Sequence, residues 1–354
     1  MSTRQRPLSV TIIGALCLAL TAVGCAEDTG GNSGGGGASS ASVDDFAVNV
    51  SVCGHARLDL VRNLYLGLSL AFDALPASSP HSTVFNDLLQ CVGSAGDCHA
   101  VWSCLNVDTT QECEPVTDSC DGTSEVGCVT VDGCGSSAVG WREETDCAAQ
   151  DTIPSIGDND LCITDDFGQP ACGAGTCDSD YEICDAEVLE RCSFGVIERT
   201  DCASLGGVCT GRTNDGGDTE LACVLESNPE CDEDRCEDGL YVDCENGREV
   251  LRYDCGLVAE GLSCVTEQDG PVCRTLEAAE CEEDEVVCVG DEARWCLNGR
   301  WAKVDCSAFM GSTCAVEDSD NPFMGDHIYC TNAAWNTEVD ALDGEEGNAW
   351  DNCP

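Results

Sequence analysis

Apolar residues recur at steps of three and four early in the chain, which places them on one face of an α-helix. The positions concerned are Leu58, Val61, Leu64, Leu68, Phe72 and Leu75. Pro76 ends this helix, a second helix is predicted from near Ser82 to Cys91, and a short third helix follows the N-cap Asp97. Residues 45–106 are therefore predicted to be a helical segment stapled by disulfides. Its cysteines are Cys53, Cys91, Cys98 and Cys104.

Beyond residue 112 this spacing gives way to short apolar runs separated by turn signals, which are typical of β-hairpins. The strongest signals are Asn246-Gly247 and Asn298-Gly299, and Phe194-Gly195 takes the same place earlier in the chain. A two-residue loop at Asn298-Gly299 predicts three facing pairs: Leu297 with Arg300, Cys296 with Trp301, and Trp295 with Ala302. Residues 268–271 predict a second hairpin turn.

The cysteines of this region fall into four blocks of six, so most of the chain is one small unit used four times. The blocks are residues 113–172, 177–223, 231–273 and 281–330. In each block seven residues separate the second and third cysteines, and an aspartate precedes the fourth: Asp146, Asp201, Asp254 and Asp305. We expect this aspartate to accept backbone N–H groups in a turn or cap. Each block is predicted to be a pair of small β-hairpins held by three disulfides, whose pairing stays open.

The predicted fold is thus small, disulfide-rich and mainly β, with tandem β-hairpin modules after an N-terminal α-helical, cysteine-containing segment. An insertion lengthens the hairpin of the first block and adds Cys134, and residues 331–354 are predicted to be an acidic C-terminal tail. The sequence has 32 cysteines, of which Cys17 and Cys25 lie in the signal region. The helical segment contains four more and the four blocks contain six each, which leaves Cys134 and Cys353. We predict that these two pair with each other.

Residues 1–24 have the features of a signal peptide, with two arginines before an apolar run that is too short to span a membrane. The residues Ala22-Val23-Gly24-Cys25 resemble a bacterial lipobox, which implies cleavage before Cys25 and lipidation of that cysteine. Ala26 after it resembles the signal for outer-membrane sorting. The alternative is an ordinary secreted protein cleaved near Ala26. Residues 25–44, rich in Gly and Ser, are predicted to be a flexible linker.

The charge and the cysteine content restrict the classes of partner and the compartment. Fifteen basic residues stand against 67 acidic ones, a formal net charge of −52, and Lys303 is the only lysine. Nucleic acid is excluded as a partner because phosphate binding needs clustered basic side chains. The acidic surface itself is interpreted as solvated, and the cysteine content predicts an oxidising compartment.

Motifs that carry chemistry are absent from the sequence. It contains no H-E-x-x-H zinc motif, no phosphate-binding loop around Lys303 and no C-x-x-C redox motif. His327 is the only histidine of the four blocks, which leaves no repeated His-based centre. The protein is predicted not to be an enzyme, with no catalytic, cofactor-binding or metal-binding residue.

Three ligand alternatives stay open. Carboxylates could associate weakly with calcium, at Asp232, Asp234 and Asp238 in one block and at Asp158, Asp160, Asp165 and Asp166 in another. A Cys/His metal site would use His55, His81 and His99, whose spacing fits no zinc pattern. A carbohydrate platform would use Trp141, Trp295, Trp301 and Tyr241, although tryptophan beside a disulfide is more often core.

The lipobox, the Gly/Ser tether, the helical neck and the acidic six-cysteine repeats together resemble the cysteine-rich surface lipoproteins of predatory soil bacteria. This resemblance implies a location in the cell envelope, as an outer-membrane lipoprotein facing the periplasm or the outside, and a role in adhesion or recognition. We expect a non-enzymatic, surface-displayed structural or binding protein, its blocks arranged as a short rod, anchored to the membrane at Cys25 and binding an unknown protein or glycan. A calcium-associated envelope scaffold is the alternative, and a secreted hydrolase a remote one. The candidate contact residues are Trp295, Arg300, Trp301 and Lys303, which do not recur as a set in the other blocks.

Overall fold

The computed structural model describes residues 43–54, 56–73, 80–113, 119–132, 138–147, 159–213, 219–224, 228–245, 247–268, 270–283, 285–317 and 326–342. Cys25, Cys134 and Cys353 lie outside these ranges, so lipidation of the first and pairing of the other two stay predictions. Within the described ranges, none of the helices has the length and apolar character needed to cross a membrane.

Four helices form the N-terminal segment: α1 (Val43–Gly54), α2 (Leu58–Asp73), α3 (Pro80–Gly93) and α4 (Cys98–Cys104). The last three confirm the three helices predicted from the sequence. The Asp97 carboxylate caps α4, as predicted, by accepting from the Ala100 N–H at 2.8 Å. Helix α1 was not predicted, and it begins inside the stretch assigned to the linker. It forms because Phe46 is fully buried against Tyr65 of α2, with 4.0 Å between ring centres.

Two disulfides staple these helices. Cys53 of α1 bonds Cys98 of α4, and Cys91 of α3 bonds Cys104 at the end of α4. Helix α4, at seven residues, is too short to be stable alone. The disulfides and its buried Trp102 therefore hold it against the longer helices.

In the described residues after this segment, twenty-two strands form small antiparallel sheets. The first block, with its preceding strand, contains β1 (Val107–Glu112), β2 (Ser119–Asp121), β3 (Ser124–Asp132), β4 (Ala138–Asp146), β5 (Leu161–Thr164) and β6 (Pro170–Gly173). The second contains β7 (Gly175–Thr176), β8 (Tyr181–Asp185), β9 (Val188–Ser193), β10 (Val196–Asp201), β11 (Val208–Thr213) and β12 (Thr219–Val224).

The last two blocks are simpler. The third contains β13 (Arg235–Glu237), β14 (Leu240–Glu245), β15 (Arg248–Asp254), β16 (Leu262–Glu267) and β17 (Gly270–Thr275). The fourth contains β18 (Val286–Val289), β19 (Glu292–Leu297), β20 (Arg300–Asp305), β21 (Thr313–Glu317) and β22 (His327–Thr331).

Every block pairs a sheet of three or four strands with a separate two-stranded hairpin. The mainly β prediction is confirmed, but the expected first hairpin has at least one further strand in each block, such as β18 beside β19. The predicted register of β19 and β20 is confirmed for all three facing pairs. Asn298 and Gly299 both have positive φ, 51° and 84°, as the predicted two-residue turn requires.

One disulfide pattern serves all four blocks: the first cysteine bonds the third, the second bonds the fifth, and the fourth bonds the sixth. In the fourth block these bonds are Cys281 to Cys296, Cys288 to Cys314, and Cys306 to Cys330. The same order holds in the first, second and third blocks. All described cysteines thus lie in disulfides, 14 in number, and within a block every bond is internal.

The fifth and sixth cysteines lie directly opposite each other across the two-stranded hairpin, as Cys314 and Cys330 do. Facing residues point to the same side of a hairpin, so both sulfurs point toward the sheet. The fifth bonds the second cysteine, which lies within the sheet, and the sixth bonds the fourth, which directly follows the last strand of the sheet. The hairpin is thus fixed at two points. In the chain-entropy model each of these cross-links contributes about 3.5 kcal/mol, which replaces much of the hydrophobic core that so small a unit lacks.

The repeated aspartate has the predicted cap role in three blocks. Asp201 accepts from the Ala203 N–H, Asp254 from the Gly256 N–H and Asp305 from the Ser307 N–H, each at 2.9 Å. In the first block the bond seen to the Asp146 carboxylate comes from the Thr123 hydroxyl, at 3.3 Å.

The helical segment is the centre of the protein rather than a neck. Its buried residues share one hydrophobic cluster with residues of the first, third and fourth blocks. Ser51 of α1 accepts from the Cys330 N–H at 3.0 Å, which joins residues 279 positions apart. Arg62 of α2 donates to the Val258 carbonyl of the third block at 2.7 Å. The expected rod of blocks is therefore wrong, because the fourth block returns to the helices.

A fifth helix, α5 (Ala333–Leu342), lies within residues 331–354, the predicted acidic tail. Asn332 caps it by accepting from the Ala334 and Trp335 N–H groups. Trp335 is buried, and its indole N–H donates to the Cys53 carbonyl at 3.2 Å. The helix forms because this ring has a place in the central core beside Trp141, at 5.8 Å between ring centres.

Candidate functional site

The candidate contact residues lie on the sheet of the fourth block, and the structure divides them between its two faces. Along β20, Arg300 is buried, Trp301 is half-buried and Lys303 is exposed. Because side chains alternate along a strand, Trp301 and Lys303 share the outer face, and Arg300 lies on the other. Trp295 of β19 faces Ala302, so it also lies on the inner side.

Trp295 is part of the core. It is only 3% exposed, and the guanidinium carbon of Arg62 lies 5.8 Å from the centre of its ring, within cation–π range. Trp141 and Tyr241 are buried as well, at 0% and 7% exposure. The carbohydrate platform that would use these three rings is therefore contradicted, since stacking on a sugar needs exposed faces.

Arg300 fastens the connection between the third and fourth blocks. It donates to the Thr275 hydroxyl at 3.0 Å and to the Glu277 carboxylate at 2.7 Å, and it also pairs with Glu280. Gly261 of the third block packs beside the guanidinium, so closely that a Cβ added to this glycine would lie 3.1 Å from Nε. The structure thus assigns Arg300 to internal contacts rather than to an external partner.

Trp301 and Lys303 remain available on the outer face of the sheet. Lys303 lies directly opposite Arg294, and Trp301 opposite Cys296. The Arg294 guanidinium pairs with Glu292, whereas Lys303 forms no ion pair with any residue that the structure describes. On a chain of net charge −52, these side chains form a small strip of one indole and two cations.

His99 makes a set of contacts that the sequence did not predict. Its Nδ1 lies 2.8 Å from the Thr109 hydroxyl, its Nε2 lies 2.8 Å from the Glu338 carboxylate, and its ring meets Trp335 edge-on at 5.4 Å. The order carboxylate, imidazole and hydroxyl is that of a hydrolase relay. A hydrolase also needs backbone donors at the developing oxyanion, and the next N–H along the strand, that of Thr110, is bonded to Asp108 at 2.9 Å.

The contacts of His99 instead tie together α4, β1 and α5, which are distant in the chain. The nearby Cys98 and Cys104 are not thiolate ligands for the proposed Cys/His site, because both are in disulfides. His55 and the side chain of His81 lie outside the described residues. His99 therefore has a structural role, connecting α4, β1 and α5.

Two of the candidate calcium ligands, Asp234 and Asp165, are engaged in local structure. Asp234 accepts from the Cys244 N–H at 2.8 Å, and Asp165 accepts from the N–H groups of Phe167 and Gln169, each at 2.8 Å. In the described part of the chain no three His, Cys, Asp or Glu side chains converge in a metal-binding arrangement. Asp158 lies outside that part.

Tyr241 and Tyr253 of the third block lie beside Asp234 and Asp243, with ring centres 5.2 Å apart. Burial, with the neighbouring carboxylates adding to it, raises the pKa of Tyr253 to about 12 and that of Tyr241 further. Both phenols therefore stay neutral at any physiological pH. They serve as packing groups, and neither is poised for proton transfer near neutrality.

Comparison with known proteins finds no matching family model, no matching curated protein and no matching solved structure. The protein is a cysteine-rich chain of repeated, disulfide-bonded β blocks, and this number of disulfides indicates an extracytoplasmic compartment. A more specific function has to be argued from the positions and contacts of the side chains described above.

Proposed function

We propose that the chain is a non-enzymatic lipoprotein of the bacterial outer membrane, anchored through Cys25, whose stapled body recognises a partner in or on the envelope. The observation that carries this proposal is that the potentially reactive side chains are engaged in contacts within the protein. Arg300, Asp234, Asp305 and His99 all make contacts that hold elements of the protein together. Their use as fastenings favours a rigid display scaffold over a catalyst.

The distance from the anchor to the body fits such a display. Helix α1 begins at Val43, so a short Gly/Ser-rich stretch separates it from Cys25. A flexible chain of this length has a root-mean-square reach of roughly 20 Å. The body would therefore stand just outside the lipid headgroups, and its acidic surface would keep it off an anionic membrane.

The outer face of the fourth block's sheet is the contact surface that we assign to a partner. Aromatic side chains are enriched at binding surfaces, and a cation that no described carboxylate neutralises adds electrostatic complementarity to an acidic partner group. Trp301 and Lys303 supply that combination. The other blocks do not present this surface, because none of them has a tryptophan and a lysine at the positions that correspond to Trp301 and Lys303.

Anchoring is tested by Cys25→Ser in a host with an outer membrane that is fed labelled palmitate. The unchanged chain should carry the label and sediment with outer membranes, and the variant should lose both. Cys17→Ser is the matched control, since this cysteine lies in the stretch that cleavage removes. Label and membrane association that persist in Cys25→Ser would refute a lipid anchor at this position.

Recognition is tested by the charge-reversed double variant Trp301→Ser/Lys303→Glu, with Arg274→Glu as a control of similar charge on an exposed arginine. Envelope extract is passed over each protein, with and without chelator. A band that is lost only in the double variant supports the proposed face. Loss on chelation in all variants would favour the calcium-associated scaffold, and equal capture by all proteins would contradict this surface.

A further inference from the structure

Two phenylalanines lie exposed side by side where the first and second blocks meet. Phe167, in the β5–β6 turn, is 71% exposed, and Phe194, in the β9–β10 turn, is 56% exposed. Their ring centres are 5.2 Å apart and their planes are tilted by 55°. The two rings form an open notch, which we call the Phe tip.

The Phe tip is held firmly by its own turns. The Asp165 carboxylate accepts from the Phe167 N–H at 2.8 Å and so fixes the first turn. The Asp166 N–H donates to the Phe194 carbonyl at 2.9 Å, which joins the two turns across the block boundary. The backbone of both turns is thus held in place before any partner arrives, which lowers the entropy lost on binding.

Phe194 is unfavourable in its position on two counts. Its φ is 52°, in the left-handed region that costs a bulky residue roughly 1–2 kcal/mol. Asn298, at the same place in the fourth block with φ 51°, is a residue that tolerates this conformation. The ring of Phe194 also stays largely in water. A residue that breaks two local rules at once is typical of a functional site.

A carboxylate completes the Phe tip. Gly195 follows Phe194 in the turn, and a Cβ placed on it would lie 2.7 Å from Oδ1 of Asp166. Asp166 is exposed, and its carboxylate has no hydrogen bond or ion pair with the residues that the structure describes. Two ring faces beside an unpaired carboxylate match the chemistry of a cationic side chain, which gains from both.

We infer that the Phe tip binds an arginine or lysine side chain within a basic peptide segment of a partner protein. The Phe tip is a second contact surface, separate from the outer face of the fourth block's sheet. The inference rests on the proposed recognition function and names the class of partner for this second surface. The net charge of −52 attracts such a segment over long range. A glycan is less suited, because rings tilted by 55° offer no flat stacking surface.

The test measures the affinity of a fluorescein-labelled peptide of eight arginines for the full chain in detergent, by anisotropy at low and physiological salt. Phe194→Asn removes the ring without changing the charge and installs the residue that the fourth block uses. We expect it to weaken binding roughly threefold to tenfold. Asp166→Asn should weaken binding by a similar factor. Leu276→Asn, which replaces another exposed apolar residue, should leave the affinity unchanged.

Equal affinity of the unchanged protein and Phe194→Asn would overturn the inference, since the peptide would then be held by net charge alone. An uncharged tetramer of N-acetylglucosamine is measured in parallel, and binding that is lost in Phe194→Asn would overturn it in favour of a glycan. Near-ultraviolet circular dichroism confirms the fold of each variant. Anchoring at Cys25 is measured separately, so failure here leaves that part of the proposed function standing.

Discussion

Arg62 joins the helical segment to the third and fourth blocks, and its replacement tests whether the helices are the centre of the fold. The side chain is buried and donates to the carbonyls of Val258 at 2.7 Å and Leu257 at 3.3 Å. It also pairs with Asp44 at 3.0 Å and lies over Trp295. Four contacts from one side chain thus connect α1, α2 and two blocks.

The loss of stability expected on replacing Arg62 follows from these contacts. A hydrogen bond from a charged donor contributes roughly 1.5 to 3 kcal/mol, and the bond to Val258 is the well-formed one. The pair with Asp44, whose side chain is 42% exposed, adds at most about 1 kcal/mol, and the cation–π contact about the same. Arg62→Met keeps the aliphatic length but leaves the Val258 carbonyl without its donor. We therefore expect a loss of about 3 kcal/mol in local stability.

Amide hydrogen exchange is the suitable assay, because it reports the local opening of individual segments, and a chain of several separately cross-linked blocks is not expected to unfold in one two-state transition. Exchange in residues 255–262 should be roughly a hundredfold faster in Arg62→Met. Arg142→Met is the control: it removes only a surface pair with Glu144, at 3.2 Å, and should leave exchange in these residues unchanged. If residues 255–262 exchange at the same rate in Arg62→Met and in the unchanged protein, the reasoning is refuted.

Three further predictions concern the cross-links, the tyrosines and the caps. Peptide mapping of the non-reduced protein should find the same pairing order in every block and a bond between Cys134 and Cys353; a thiol at either would refute that bond. Burial raises the pKa of Tyr65 to about 12, whereas an unfolded tyrosine ionises near 10. Stability should therefore be complete below about pH 10 and fall toward pH 12, with tyrosinate absorbance at 295 nm and loss of helical dichroism rising together; ionisation at pH 10 without unfolding would contradict this. Asp305→Ala should cost about 1 kcal/mol and speed exchange at the Ser307 amide, whereas Asp305→Asn, which also caps, should change little.

The local features of the fold could be predicted from the sequence because they depend on neighbouring residues. Apolar steps of three and four located α2, a helix start near Ser82 located α3, and the N-cap Asp97 located α4. Asn298-Gly299 located a turn and the register of two strands. The pairing of the cysteines could not be predicted, since spacing alone permits fifteen arrangements in each block. The structure supplies what was missing, which is that the fifth and sixth cysteines face each other and point together at the sheet.

The long-range features could not be predicted because they depend on surfaces that meet only after folding. Nothing near Arg300 in the sequence marks Glu277 as its partner, and nothing near Trp295 marks Arg62. Helix α5, in contrast, does have a local signal in the sequence. Asn332 precedes Trp335 and Val339, which is an N-cap followed by apolar residues one turn apart.

For the contact surface, the sequence indicates which strands carry the candidate residues but not which face of the sheet each residue lies on. The four candidate residues were chosen because the other blocks lack them as a set. Alternation along β20 then separates Arg300 from Trp301 and Lys303, which follows from strand geometry once the buried side is known. The Phe tip needed the structure, because Phe167 and Phe194 belong to different blocks.

The bond between Ser51 and Cys330 has a consequence for the order in which the protein can be completed. The chain is synthesised from its N-terminus, so the helices exist long before the block that covers them. Each block can oxidise by itself as soon as its sixth cysteine has arrived, but the apolar sides of α1 and α2 stay uncovered until β22 and α5 follow. A chain cut short after the third block would therefore carry the internal disulfides of its three blocks and still aggregate, which makes residues 274–354 a checkpoint on assembly.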